Sequence, residues 1–435
     1  MFFDSSASGK TMISEIRFKE FELANGLHAI FHKDNANPLV SVDIWYHVGS
    51  KDEDPNRTGF AHLFEHMMFQ GSANAGKSEH FRYIQKAGGI VNGSTTQDRT
   101  NYLETFPPGS LELVLWLESD RMDSLAVTQE NFDNQREVVK EEKRQRYDNA
   151  PYGSRFYKLF NKSFGKHPYG WVPIGSMDDL NNADLSYAQS FYRRFYAPNN
   201  AVLAISGDID YDRSINLVEK YFADLKPSKQ KNTSFPEIIF NNGETIDTIY
   251  DNVQLPALYI AYKIPGLKSN EIYAFNLLSF ILGESMSSRL NRDLVHDKKI
   301  AKSVNSFVWG LELGGLFIIS VMGFQNSDLQ EILKHIDGHI DKISASGTGE
   351  HELLKAKNKA EKRFFNRQQT TLGIADQLAY FRTFFSDTNM INSELSGYQK
   401  VSLNDIKDSA VKFLAQNNRV VLNYLPENKI NSQAN

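Results

Sequence analysis

The 435-residue chain contains no cysteine. Disulfides and thiolate metal sites are therefore excluded, and any tightly held metal must rely on histidine and carboxylate. No apolar run approaches the roughly 20 residues of a membrane-spanning helix. The start, Met1-Phe2-Phe3-Asp4-Ser5, lacks a basic region ahead of a hydrophobic stretch, so no secretory signal is expected there. Basic charge is not in excess either: the formal net charge is −5, which leaves no electrostatic footprint for nucleic acid. These absences point to a soluble protein, expected in the cytoplasm, with the periplasm or an organelle matrix left open. The length calls for two or more domains, each large enough for its own core.

What is present is the string His62-Leu63-Phe64-Glu65-His66. On a helix turning about 100° per residue, His62 and His66 lie within roughly 40° of each other, so both rings can reach one ion. Glu65 falls about 60° from His62, near enough to serve a water bound to that ion. This is the inverted order of the His-Glu-x-x-His zinc helix, and the same roles are expected: two histidine ligands and a general base. A catalytic zinc normally takes three protein ligands and keeps its fourth position for water.

The candidate third ligand lies in Gln135-Arg136-Glu137-Val138-Val139-Lys140-Glu141-Glu142, where Val138 and Val139 are taken to mark the buried face. Measured from their midpoint, Glu142 lies roughly 10° away, Glu141 about 110° and Glu137 about 150°. Glu142 thus points inward and needs a partner. The alternative is a solvated face formed by Glu141, Glu142 and Lys143-Arg144-Gln145-Arg146. A second histidine pair, His335 and His339, sits to one side of the apolar stripe Ile332, Leu333, Ile336, Ile340 and Ile343, and is expected to face water.

Along the chain, Leu39 to Val48 alternates as a strand with one face in the core. Helices are expected from about Gly59, from Ser78 to Lys86, from Pro108 to Met122 and from Gln129 to Tyr147, with further strands at Tyr102 to Phe106 and Ala201 to Ile205. The organisation is α+β, two similar domains of mixed or antiparallel sheet packed with helices: residues 1–225 bearing the metal site, a polar linker over 226–240, and residues 241–435 without a metal site. The repeat rests on order: Leu255 to Tyr262 takes the place of Pro38 to Tyr46, and Ile272 to Leu282 that of the metal helix. That second helix carries Asn276, Leu277, Leu278, Ser279 and Phe280, which cannot hold zinc.

His62, Glu65 and His66, with Glu142 lying 76 residues beyond His66, resemble the pattern of the pitrilysin/insulinase family of inverted-motif zinc peptidases, which includes the mitochondrial processing peptidase. Other stretches read alike: Gly88-Gly89, Asn92-Gly93-Ser94-Thr95-Thr96, Asn101-Tyr102-Leu103-Glu104-Thr105, Asp148 to Gly153, His167-Pro168-Tyr169-Gly170 and Phe191 to Asn200. The resemblance implies a zinc metalloendopeptidase acting on peptides or unfolded segments in an enclosed chamber. In it His62, His66 and Glu142 hold the metal and Glu65 is the catalytic base. It places Asn92, Gly93, Ser94 and Tyr102 at a sheet edge where an extended peptide adds as a strand; for Tyr102, core packing is the alternative.

One departure stands out. The family's Arg and Tyr, seven residues apart in the second half, fall here on Val295 and Lys302, anchored by Ser287-Ser288-Arg289-Leu290 and Ala301-Lys302-Ser303-Val304. The implied arrangement is a heterodimer whose homologous partner supplies that pair. The alternative is a homodimer in which Lys302 or Arg289 substitutes. A non-catalytic assembly subunit of the same fold and a hydrolase of non-peptide substrates are the rival functions.

Overall fold

The computed structural model describes residues 15–229 and 234–427; Met1 to Ser5 and residues 230–233 of the expected linker lie outside them. Two sheets organise the chain. The first comprises β1 (Lys19–Glu22), β2 (His28–Lys33), β3 (Val40–Tyr46), β4 (Ile90–Thr95), β5 (Thr100–Phe106) and β6 (Ala201–Gly207), in the order β1-β2-β6-β3-β5-β4. The second comprises β7 (Thr245–Asp251), β8 (Ala257–Pro265), β9 (Ala301–Gly310), β10 (Gly314–Gly323) and β11 (Arg419–Pro426), in the order β7-β11-β8-β10-β9.

The repeat expected from element order is a repeat of topology. In each sheet one parallel pair, β2 with β6 or β7 with β11, is followed by antiparallel neighbours ending on an edge strand, β4 or β9. The helix Phe60–Met67 follows β3 as Glu271–Leu282 follows β8. The described residues of 226–240 form no helix or strand. The long helix expected to Tyr147 is α-helical over Gln129–Lys143 and finishes in a π-helical turn, Arg144–Asp148.

The alternation in β3 has a different meaning from the one its pattern suggests. Val40, Val42, Ile44 and Tyr46 enter the main core, yet Ser41, Asp43 and Trp45 are buried too. The helix Thr371–Phe385, from the other half of the chain, covers them. Its Ile374, Ala375, Leu378 and Phe381 pack with Ile30, Trp45, Val202 and Ala204, and Ser41 Oγ lies 2.8 Å from Thr371 Oγ1. The exchange is reciprocal: Arg155–Phe164 of the first half packs on β8 and β11, and its Phe156 and Phe160 each stand 5.1 Å from the ring of Trp309 on β9. The two halves thus share a core that the sequence suggested would be separate.

A polar joint adds to this contact. The β9–β10 turn sends Glu312 into the first half, where its carboxylate accepts from His47 Nε2 at 2.8 Å and pairs with Lys51 Nζ at 3.3 Å. Its backbone N–H donates to Asp98 Oδ2 at 2.9 Å, and Leu313 N–H to the Tyr169 hydroxyl at 3.0 Å. Burial opposes the charge on Glu312, but the His47 hydrogen bond and the charges of His47 and Lys51 hold its carboxyl at about 2. Because the folded value lies below the ordinary glutamate value of about 4.3, this contribution is complete above that pH and fades as pH falls toward 2. Glu312→Gln should therefore destabilise the chain at neutral pH by on the order of 1 kcal/mol, after allowance for solvent screening. Denaturation midpoints of the two proteins should converge below about pH 4; a gap that stays constant with pH would refute this role.

Candidate metal centre

The helix Phe60–Met67 is fixed from three sides. It starts at Gly59, whose φ of +96° suits glycine and whose missing Cβ would sit 3.1 Å from the Ile174 carbonyl oxygen. The buried carboxylate of Glu53 caps it, accepting from Gly59 N–H at 3.0 Å and Ala61 N–H at 2.8 Å. Phe60, Leu63, Phe64 and Met67 face the core, Phe64 stacking 5.6 Å from Phe191. His62, Glu65 and His66 are left on the partly open face.

The second element is the helix Gln129–Lys143, started by the Thr128 hydroxyl, which accepts from Asn131 N–H. Its buried stripe is Phe132, Gln135 and Val139, and Glu142 continues that stripe. Val138 does not mark it: that side chain is 43% exposed, so the midpoint of the two valines misjudges the face although Glu142 does turn inward. Glu141 is exposed and bonded to Arg144 and Gln145, and Glu137 is exposed beside Lys140.

The two helices bring three ligating atoms together. Glu142 Oε2 lies 3.7 Å from His62 Nε2 and 3.3 Å from His66 Nε2, and all three lie within 4.8 Å of one another. Ligands about 2.0–2.1 Å from a tetrahedral zinc stand roughly 3.3 Å apart, so the donor set and its spacing fit that ion. Burial and the neighbouring His66 lower His62 to about 4, which keeps its ring neutral as a ligand must be. The hydrogen bond from His66 outweighs burial and lowers Glu142, whose other oxygen accepts from Arg146 at 2.6 Å. Burial raises Glu65 while a hydrogen bond with Thr95 and the charge of His66 oppose the rise. A raised, partly buried carboxylate beside the site suits a group that takes up and returns a proton.

The edge strand β4 runs past this carboxylate. A Cβ on Gly93 would come within 3.2 Å of Glu65 Cγ, so glycine is what lets the strand approach the base. Asn92 is exposed on β4, the edge strand of its sheet among the described residues. Ser94 is engaged inside the protein, donating to Asn101 Oδ1 at 2.7 Å. Tyr102, expected among the substrate-binding residues, is instead a core residue. It is fully buried under the metal helix, its hydroxyl donates to the Phe64 carbonyl at 3.1 Å and Arg121 lies 4.3 Å from its ring. Sequence reasoning did not single out Arg99, which donates to the Ser94 carbonyl at 2.8 Å and whose charge reaches Glu65. Nothing in its hairpin context marked it.

A second cluster, His80, Glu104 and Glu118, is fully buried. The Arg121 guanidinium already supplies its cation, donating to both carboxylates, so it is a structural ion-pair network. Val295 is partly buried on the π-helical turn Asn291–Asp297, and Lys302 is exposed on β9. Arg289 is committed to Glu352 by two hydrogen bonds of 2.8 and 2.6 Å, which weighs against its replacing the missing arginine.

Comparison with known proteins points to one family. The model of the insulinase family, peptidase family M16, matches residues 29–172, and that of the peptidase M16 inactive domain matches residues 183–360. The chain is 31% identical to the zinc protease PqqE of Helicobacter pylori over 82% of its own length and 81% of that protein. It is 25% identical to the uncharacterized zinc protease YmxG of Bacillus subtilis, over 78% and 81% of the two chains. Among solved structures, a protease from Helicobacter pylori superposes with a TM-score of 0.88 at 27% identity, covering 94% of this chain and all of that one. The first half of the periplasmic protease PqqL from Escherichia coli shares the fold, with a TM-score of 0.76 at 19% identity over 94% of this chain and 92% of that one. No helix among the described residues is long and apolar enough to cross a membrane.

Proposed function

This chain belongs to the insulinase family of peptidases, M16, and we propose that it is a zinc metalloendopeptidase cutting peptides or unfolded segments, the metal-bearing subunit of a heterodimer. The carrying observation is the convergence of His62 Nε2, His66 Nε2 and Glu142 Oε2 beside a strand edge that passes Glu65. Held by those three atoms, zinc would polarise a scissile carbonyl and bring the pKa of a bound water toward neutrality. Glu65 accepts the proton of the attacking water and later returns it to the leaving amine. The outward backbone groups of β4 pair with an extended substrate, and its side chains are read little, so specificity is broad. An assembly role without catalysis has no use for Glu65, and the inactive-domain match concerns residues 183–360, which exclude the metal helix.

The test is cleavage of unfolded peptides together with metal analysis: activity is expected to fall with a chelator and return with zinc. Activity in a zinc-free protein would overturn the reading.

With Val295 and Lys302 where the family carries Arg and Tyr, the substrate carbonyl lacks donors from this chain's second half. The partner subunit supplies them. Mixing with a homologous chain bearing that pair should raise kcat/KM by on the order of 10²-fold, the usual worth of such a donor. A full rate from the isolated chain would refute the heterodimer. The cytoplasm remains our proposed compartment, with the periplasm its competitor, since the fold is shared with a protein described as periplasmic.

A further inference from the structure

The pair His335 and His339 does not simply face water. Both rings turn onto one carboxylate oxygen: His335 Nδ1 lies 3.1 Å and His339 Nε2 3.0 Å from Asp293 Oδ2. Asp293 comes from the π-helical turn Asn291–Asp297, remote in sequence from the helix Leu329–Ser346 that carries the histidines. The three side chains are 17–26% exposed, on the wall of a groove of about 780 Å³. We propose that Asp293, His335 and His339 form a second site for a divalent first-row transition ion, independent of the catalytic one.

Three arguments carry this. Two imidazoles one helical turn apart place their rings on one side of a helix, the spacing of His62 and His66, although His335 presents Nδ1 where both of those present Nε2. The contacts of 3.0 and 3.1 Å to the shared carboxylate oxygen are no longer than the 3.3 and 3.7 Å at that first centre, although the two histidine donors do not lie within 4.8 Å of each other as all three do there. Two imidazoles and a carboxylate select ions such as zinc, nickel or copper over calcium or magnesium, which prefer oxygen. A ring nitrogen that donates to Oδ2 must give up that proton to ligate an ion, so binding there exchanges hydrogen bonds for coordination. The three donors are set more loosely than those of the first centre, so the rings must close in on the ion, an adjustment open to partly exposed side chains.

The surroundings set the strength. Arg292, Lys298, Lys342 and Lys355 line the same groove and Lys334 an adjoining one, while Asp297 and Glu331 offset part of their charge and Arg289 is neutralised by Glu352. The net positive field repels a cation and is screened by salt, so binding should tighten as a non-coordinating salt is added.

The experiment is titration of the full chain with zinc against a chromophoric chelator, using His66→Ala to remove the first centre. Wild type is expected to take about two zinc ions, His66→Ala about one, and His66→Ala with His339→Ala none. Asp293→Asn in the His66→Ala chain should weaken the remaining ion by about 10-fold or more. His339→Ala alone should keep peptidase activity, which separates this site from the proposed reaction. No zinc on His66→Ala, or zinc that survives both His339→Ala and Asp293→Asn, overturns the proposal.

Discussion

Glu65→Gln is expected to cut kcat/KM for peptide hydrolysis by about 10³-fold, within the range of roughly 10²–10⁴ usual for a general base, while leaving the zinc content unchanged. Glutamine keeps the size and shape of the side chain beside Gly93 but offers no site for a proton. Burial disfavours the charged form of Glu65, and the Thr95 hydrogen bond and His66 partly restore it. That balance gives a base able both to take a proton and to give it back. Metal analysis and single-turnover assays on the same preparation check the result. Undiminished activity would remove Glu65 from the reaction, and loss of zinc would make it a metal-positioning group instead.

Glu142→Ala is expected to do the opposite: zinc is lost and activity goes with it. Removing a direct ligand should weaken zinc by more than the 10–100-fold usual for supporting residues, here estimated at about 10³-fold. The helix should survive, because Glu142 is partly exposed and the stripe Phe132, Gln135 and Val139 is untouched. Arg146 loses its partner in the variant, but it is 73% exposed and costs little there. Zinc affinity by competitive titration, beside circular dichroism, distinguishes a lost ligand from a lost fold. A Glu142→Ala protein with wild-type zinc affinity would assign the third ligand elsewhere. Together the two variants separate chemistry from binding.

Much of this was legible in the residues because it depends on local geometry. The spacing of His62, Glu65 and His66 on one turn follows from the helical repeat alone, whereas the inward turn of Glu142 was reached with one wrong face marker, Val138, and the period of β3 told only which residues enter the main core. What long-range packing decides was not legible. The polar face of β3 gives no sign that a helix some 330 residues away covers it, since Ser41 and Asp43 look like solvent-facing residues until Thr371 and Asn101 bond them. Val138 looks as apolar as Val139, and only the neighbouring elements leave it exposed. Tyr102 has the pattern of either a core or a surface aromatic, and the Phe64 carbonyl above it decides. Asp293 lies 42 residues from His335, with no periodicity linking them.

The most direct test is anomalous scattering at the zinc edge from crystals of the zinc-loaded protein. A peak is expected about 2.0–2.1 Å from His62 Nε2, His66 Nε2 and a Glu142 oxygen, with Glu65 beside it and outside bonding distance. A peak elsewhere with those three side chains apart, or Glu142 turned to solvent beside an ion held without it, would contradict the account.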